Sequence, residues 1–175
     1  MSTSRLLLDR RFWPMFWTQF AGAFNDNLFK TGLVLMVTYG TTLFGQEVSP
    51  FGLDKNLFNP VAGLLFILPF FLFSAQSGQL ADKVRKNRLM RVVKLVEIGI
   101  MTLGATCFGL AITGHPVEAA SVLLVLLFFM GLQSTVFGPA KYGILPQLLT
   151  EEKLVGGNAL IELGTYLSIL AGTIL

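Results

Sequence analysis

With 53% apolar and 13% charged residues over 175 positions, this chain falls well short of the roughly 25% charge of an ordinary soluble domain. Its formal charge of +3 is modest, and the basic residues sit in short stretches beside apolar runs, which argues against a nucleic-acid partner. Cys107 is the only cysteine, so an intrachain disulfide and a cysteine-built metal site are excluded, and no metal or other cofactor is expected.

The apolar runs predict an all-α membrane protein. Residues 60–81 and 119–140 contain no Asp, Glu, Lys or Arg. As helices, both runs cover a hydrocarbon core of about 30 Å, which needs roughly 20 residues. In chain order the expected spans are 12–43, 60–81, 92–113, 119–139 and 154–175. The first is too long for one straight crossing and must tilt, bend or project.

That first span holds the sharpest local feature, Phe24-Asn25-Asp26-Asn27-Leu28-Phe29-Lys30. Asp26 and Lys30 are spaced i, i+4, share a helix face and are able to pair. A carboxylate in lipid is costly, so this face is expected to turn inward. Asn25, Asp26, Asn27 and Lys30 then form a substrate or coupling-ion site, or else an ion pair that only locks helices together.

Gly78-Gln79-Leu80-Ala81-Asp82-Lys83-Val84-Arg85-Lys86 joins the second span to the third. Gly78 permits close helix approach, and Asp82 is able to accept from a helix N-terminus or a basic neighbour. In the third span, Glu97 follows Lys94 by three residues, which reads as an interfacial pair. Gly138 and Pro139 are expected to break the fourth span, and Pro146 to prevent an easy restart. Lys141 then falls in a connection. Thr150-Glu151-Glu152 reads as an N-cap followed by acids in the first helical turn. In the fifth span Glu162 precedes Gly164, Ser168 and Gly172, a small-residue stripe that predicts close packing. Glu162 is a further candidate for a polar cavity.

Lys and Arg give the orientation. Arg5, Arg10 and Arg11 precede the first span. Lys83, Arg85, Lys86, Arg88, Arg91 and Lys94 surround the second connection, and Lys141 and Lys153 the fourth. The opposite connections carry only Lys55. The N-terminus is therefore expected to be cytoplasmic, with the basic loops near anionic lipid headgroups.

The second connection resembles the signature of the major facilitator superfamily, Gly-x-Leu-Ala-Asp followed by basic residues. Gly78, Leu80, Ala81, Asp82, Lys83 and Lys86 match it, while Arg85 replaces a preferred Gly and Asn87 a preferred basic residue. The resemblance implies a gating latch at Gly78, Asp82, Lys83 and Lys86. Three further strings are similar to the lysophospholipid transporter branch: Ala23-Phe24-Asn25-Asp26-Asn27, Pro139-Ala140-Lys141-Tyr142-Gly143-Ile144-Leu145 and Gly157-Asn158-Ala159-Leu160-Ile161-Glu162. The opening Phe12-Trp13-Pro14-Met15-Phe16-Trp17 resembles fused forms in which the transporter precedes an acyltransferase. No acyltransferase signature stands here, since the only His, His115, has no acid four residues on.

The resemblance implies the N-terminal half of a major facilitator bundle, with 1–175 a partial transporter domain. It also implies transport of lysophospholipids, chiefly lysophosphatidylethanolamine, across a bacterial inner membrane to cytoplasmic reacylation. The partners so implied are membrane lipids, the lysophospholipid and a fused or associated acyltransferase; the chain itself is not expected to be an enzyme. The stop at Gly172-Thr173-Ile174-Leu175, inside an apolar run, is expected for a fragment or shortened product. Two other readings stand beside this one: a major facilitator exporter of drugs or small solutes, and a non-transporting membrane anchor.

Overall fold

An apolar run placed in lipid must satisfy its own backbone, and a helix does so within one segment. The computed structural model describes Leu6 and residues 9–175, and Arg5 of the N-terminal basic group lies outside the described residues. The helices are α1 (Trp13–Thr38), α2 (Gly40–Phe44), α3 (Lys55–Lys83), α4 (Lys86–Ile112), α5 (Pro116–Leu148) and α6 (Glu151–Ile174). The described residues contain no strand. Helices α3, α4, α5 and α6 are each long and apolar enough to cross a membrane. Helix α1 has 26 residues, or about 39 Å at 1.5 Å per residue. The chain is an all-α, multi-pass membrane bundle.

Several boundaries differ from expectation. The long first segment divides at Tyr39, and α2 then ends on Gly45 in the left-handed region at φ 69°. Helix α3 starts five residues before the expected Pro60, at Lys55. Asp54 caps it by accepting from the Asn56 backbone N–H at 2.7 Å. The largest correction is in α5, which runs through Gly138, Pro139 and Pro146 without ending. Proline is tolerated there because neighbouring helices hold a membrane helix together where one backbone bond is missing. Lys141 consequently sits within α5 and not in a connection. At α6, Thr150 occupies the N-cap with extended backbone and Glu151 and Glu152 fill the first turn, but the Thr150 side chain makes no cap bond.

Helix α5 packs against both α3 and α4, while α1 packs against α6. Glycine sets the distance in both systems. On α5, Gly131 faces the backbone carbonyl of Phe66 on α3. On α6, Gly172 faces the Phe24 carbonyl and the Leu28 N–H of α1, and Gly164 lies on the Phe16 ring. The stripe Gly164, Ser168 and Gly172 is buried, as its spacing predicts.

The apolar core has two layers. One gathers Phe12, Met15, Ala81, Leu89, Val93, Leu145 and Ile161. The other gathers Leu33, Val37, Phe58, Cys107, Ala120 and Leu123. The first layer joins the start of α1, α4 and α6 to the end of α3 and α5. Arg10, Arg11, Lys83, Arg85, Lys86 and Lys153 therefore all lie at that end of the bundle. At the other end Lys55 pairs with Glu47 at 3.6 Å.

Candidate functional site

Between the two core layers lies a cavity of about 360 Å³. Gln19, Asp26 and Asn27 reach it from α1, Lys94 and Glu97 from α4, and Thr165 from α6. Helix α5 contributes Gln133, Ser134, Lys141 and Tyr142. Phe66, Phe70 and Phe137 supply an apolar wall. Gln19 donates to the Thr165 hydroxyl at 3.0 Å, tying α1 to α6 beside the cavity.

Two charge pairs border this space. Lys94 donates to Glu97 Oε2 at 2.5 Å, and its ammonium stands 4.5 Å from the Phe137 ring centre. Gly22 of α1 makes room for it, because a side chain there would meet Lys94 Nζ. The expected Lys94–Glu97 pair thus forms, but it is not interfacial: Glu97 is 5% exposed and faces the cavity. On the other side, Lys141 Nζ lies 3.5 Å from Glu162 Oε1, and the Tyr142 hydroxyl donates to the same oxygen at 2.5 Å. Lys141 is 6% exposed.

Asp26 is held differently. Its Oδ2 accepts from Ser134 Oγ at 2.8 Å, and Ser134 in turn accepts from Gln133 Nε2 at 3.0 Å. The predicted Asp26–Lys30 ion pair does not form; the ion pairs among the described residues are the three already named. Asp26 turns to α5, whereas Lys30, one turn on, lies 5.9 Å from the Phe66 ring centre of α3. A ring face attracts an ammonium, and Lys30 has this contact in place of Asp26.

Of the residues singled out from the sequence, Asp26 and Asn27 line the cavity, and Asn27 also donates to the Ala23 carbonyl at 2.8 Å. Asn25 and Lys30 do not line it. Glu162 stands behind Lys141 and Tyr142. Gln133 and Ser134 are cavity residues that sequence reasoning passed over, while Lys94, Glu97 and Lys141 are cavity residues that it placed at the interface or in a connection. A signal for Gln133 and Ser134 existed: they are adjacent polar residues in a run that is otherwise mostly apolar.

The expected latch is compact. Only Val84 and Arg85 separate α3 from α4. Gly78 has no neighbour among the described residues where a side chain would begin. Asp82 and Lys83 are exposed, and Asp82 makes no side-chain hydrogen bond or ion pair among the described residues. Lys86 lays its stem on Gly143 of α5.

The chain is similar to proteins named lysophospholipid transporter LplT. The Klebsiella pneumoniae protein is 34% identical over 157 residues, covering 89% of this chain and 33% of the relative. The Escherichia fergusonii protein is 33% identical over 160 residues, covering the same shares. The Serratia proteamaculans protein is 29% identical over 178 residues, covering 99% of this chain and 37% of the relative. The chain thus spans about a third of the length of the curated relatives it matches. No family model matches it, and neither does any solved structure.

Proposed function

We propose that this chain is a five-span portion of a major facilitator-type transporter that moves lysophospholipids across the bacterial inner membrane by alternating access, delivering them for reacylation. The observation that carries the reading is the similarity over 89% of the chain to relatives bearing that name. The cavity agrees with it chemically. A zwitterionic headgroup needs polar partners of both signs, and the lining offers Asp26, Glu97, Lys94 and Lys141. Its phenylalanine wall suits the first methylenes of an acyl chain.

In this reading Asp26 and Asn27 meet the headgroup, with Asn25 and Lys30 beside them on α1. Glu162 acts through its contacts with Lys141 and Tyr142. Gly78, Asp82, Lys83 and Lys86 serve as the latch on the cytoplasmic side. A fused or associated acyltransferase is the enzyme such a transporter would feed. Uptake of labelled lysophosphatidylethanolamine into proteoliposomes holding the full-length transporter tests the assignment, since five spans alone do not complete alternating access. Saturable uptake is expected, competed by lysophospholipids and not by a panel of drugs or small solutes. The reverse order of competition supports an exporter, and no uptake of any substrate supports an anchor.

The basic end of the bundle is cytoplasmic in this reading, because Lys and Arg are retained on that side. Membrane-impermeant labelling of Lys55→Cys and Lys153→Cys in a Cys107→Ala background checks it. Lys55→Cys is expected to react from the outside and Lys153→Cys only after the membrane is opened.

A further inference from the structure

A second cavity, of about 400 Å³, lies between α1, α4 and α5 at the basic end of the bundle. Arg11, Asn87 and Arg91 line it and are exposed, while Met15, Met90, Ile144 and Leu148 give it apolar surface. No Asp or Glu lines it. Neither arginine joins an ion pair among the described residues, and residues 1–5, 7 and 8, outside the description, include no Asp or Glu. Asp9 accepts from the Arg11 backbone N–H at 3.0 Å and leaves the guanidinium free of an ion pair.

This cavity continues the central one, because Lys94 lines both. On α1, Met15 and Thr18 belong to the second cavity, Gly22 and Asp26 to the first. On α4, Asn87 and Arg91 lead to Lys94 and Glu97. On α5, Phe137 and Lys141 line the first cavity, Ile144 and Leu148 the second. Each series steps by three or four residues and is therefore one helix face. Three faces thus run from the central cavity to the basic end, and Lys94 stands where the two cavities meet.

The lining defines a ligand. Arg91 is one turn from Lys94 on the same face of α4, a separation of about 5–6 Å between Cβ atoms. Arg11 lines the same cavity from the α1 side. Guanidinium groups match phosphate oxygens in charge and geometry. Both arginines are exposed, so a phosphate oxygen reaches their N–H groups without displacing protein atoms. The apolar surface beside them suits an amphiphile better than a free anion. Depth agrees: Trp13 and Trp17 are exposed at this level of α1, and tryptophan is enriched at the headgroup layer of a bilayer.

We propose that Arg11 and Arg91 form a second site, for the phosphodiester of a phospholipid, next to the central cavity on the route that passes Lys94. That the phospholipid is a lysophospholipid in transit rests on the transport reading; the phosphodiester site does not.

The test uses the full-length transporter in dodecyl maltoside, a detergent without phosphate. Asn87→Cys, with the other cysteines replaced, reports occupancy through its rate of alkylation by a maleimide. Lysophosphatidylethanolamine is expected to slow alkylation, and monoacylglycerol of the same chain length to leave it unchanged. Arg11→Gln/Arg91→Gln is expected to raise the half-protecting concentration about tenfold or more, the worth of a hydrogen bond to a charged group. Equal slowing by monoacylglycerol, or no slowing by any phospholipid, overturns the proposal whether or not the double variant folds. An unchanged half-protecting concentration in the folded double variant overturns it as well. Protection by inorganic phosphate at the same concentrations as by lysophosphatidylethanolamine overturns the phospholipid assignment in favour of a free anion. Protection by phosphatidylglycerol and not by lysophosphatidylethanolamine upholds the site as the seat of a resident lipid and overturns its place on a lysophospholipid route.

Discussion

Two walls of one cavity each present a carboxylate, and they treat it in opposite ways. On the α4 wall Glu97 has its own cation, Lys94, one turn away and seated against Gly22. On the α1 wall Asp26 has a hydroxyl from Ser134 and, among the described residues, no cation within ion-pair distance. Both groups face the cavity inside the bundle, where an uncompensated charge is costly. The difference separates two uses of charge. The α4 pair is internally complete and contributes to holding the bundle together. The α1 group has no cation of its own among the described residues, as the proposed headgroup contact requires.

Breaking the complete wall should have the largest effect on stability. Lys94→Met leaves Glu97 buried without its partner, and loss of one member of a buried pair costs about 3–5 kcal/mol. Thermal unfolding in detergent is expected to show a large fall, and Lys94→Met/Glu97→Leu to recover most of it. Equal stability of the single and double variants would mean that Glu97 is compensated by something other than Lys94.

A smaller effect is expected at the seat of the pair. Gly22→Ala puts a methyl group where Lys94 Nζ now lies. The far end of a lysine moves more easily than backbone, so the loss should fall at the low end of the usual overpacking range, about 1 kcal/mol. Combined with Lys94→Met, Gly22→Ala should cost much less than alone. The coupling, measured by a double-mutant cycle of unfolding temperatures and enthalpies, reports whether α1 and α4 meet through this contact.

The two walls were unequally legible in the sequence. Asp26 stands out because a carboxylate within an apolar span is rare, and its depth in α1 follows from position alone. Glu97 sits among Lys94, Leu95 and Ile98, close enough to the basic connection to read as interfacial. Its burial depends on the room left by Gly22, a residue of another helix about 75 positions earlier. Lys30 shows the same limit. Its i, i+4 spacing to Asp26 permits a pair, but Asp26 turns to Ser134 on α5 and Lys30 to Phe66 on α3, two neighbours that spacing does not reveal. The course of α5 was misread for a related reason. Pro139 and Pro146 break helices in water, but α5 is packed along α3 and α4, which supplies the stability those residues remove. Short-range patterns such as Gly164, Ser168 and Gly172 survived intact, because one helix carries the whole signal.

The incomplete wall should respond least in stability and most in function. Asp26→Asn retains an oxygen able to accept from Ser134 Oγ, so the relay from Gln133 through Ser134 persists. The substituted amide also brings a donor to the place of Oδ1, which now has no hydrogen-bond partner. Removing an uncompensated charge while gaining a donor cannot cost what Lys94→Met costs. The expected stability change is below about 1 kcal/mol, with either sign allowed, because one neutral hydrogen bond is worth about that much. Lysophosphatidylethanolamine uptake by the same preparation should fall about tenfold or more, as expected when an ammonium loses its charged acceptor. A severe loss of stability in Asp26→Asn would place Asp26 with Glu97, as a charge the fold needs. Unchanged uptake at unchanged stability would remove it from the site.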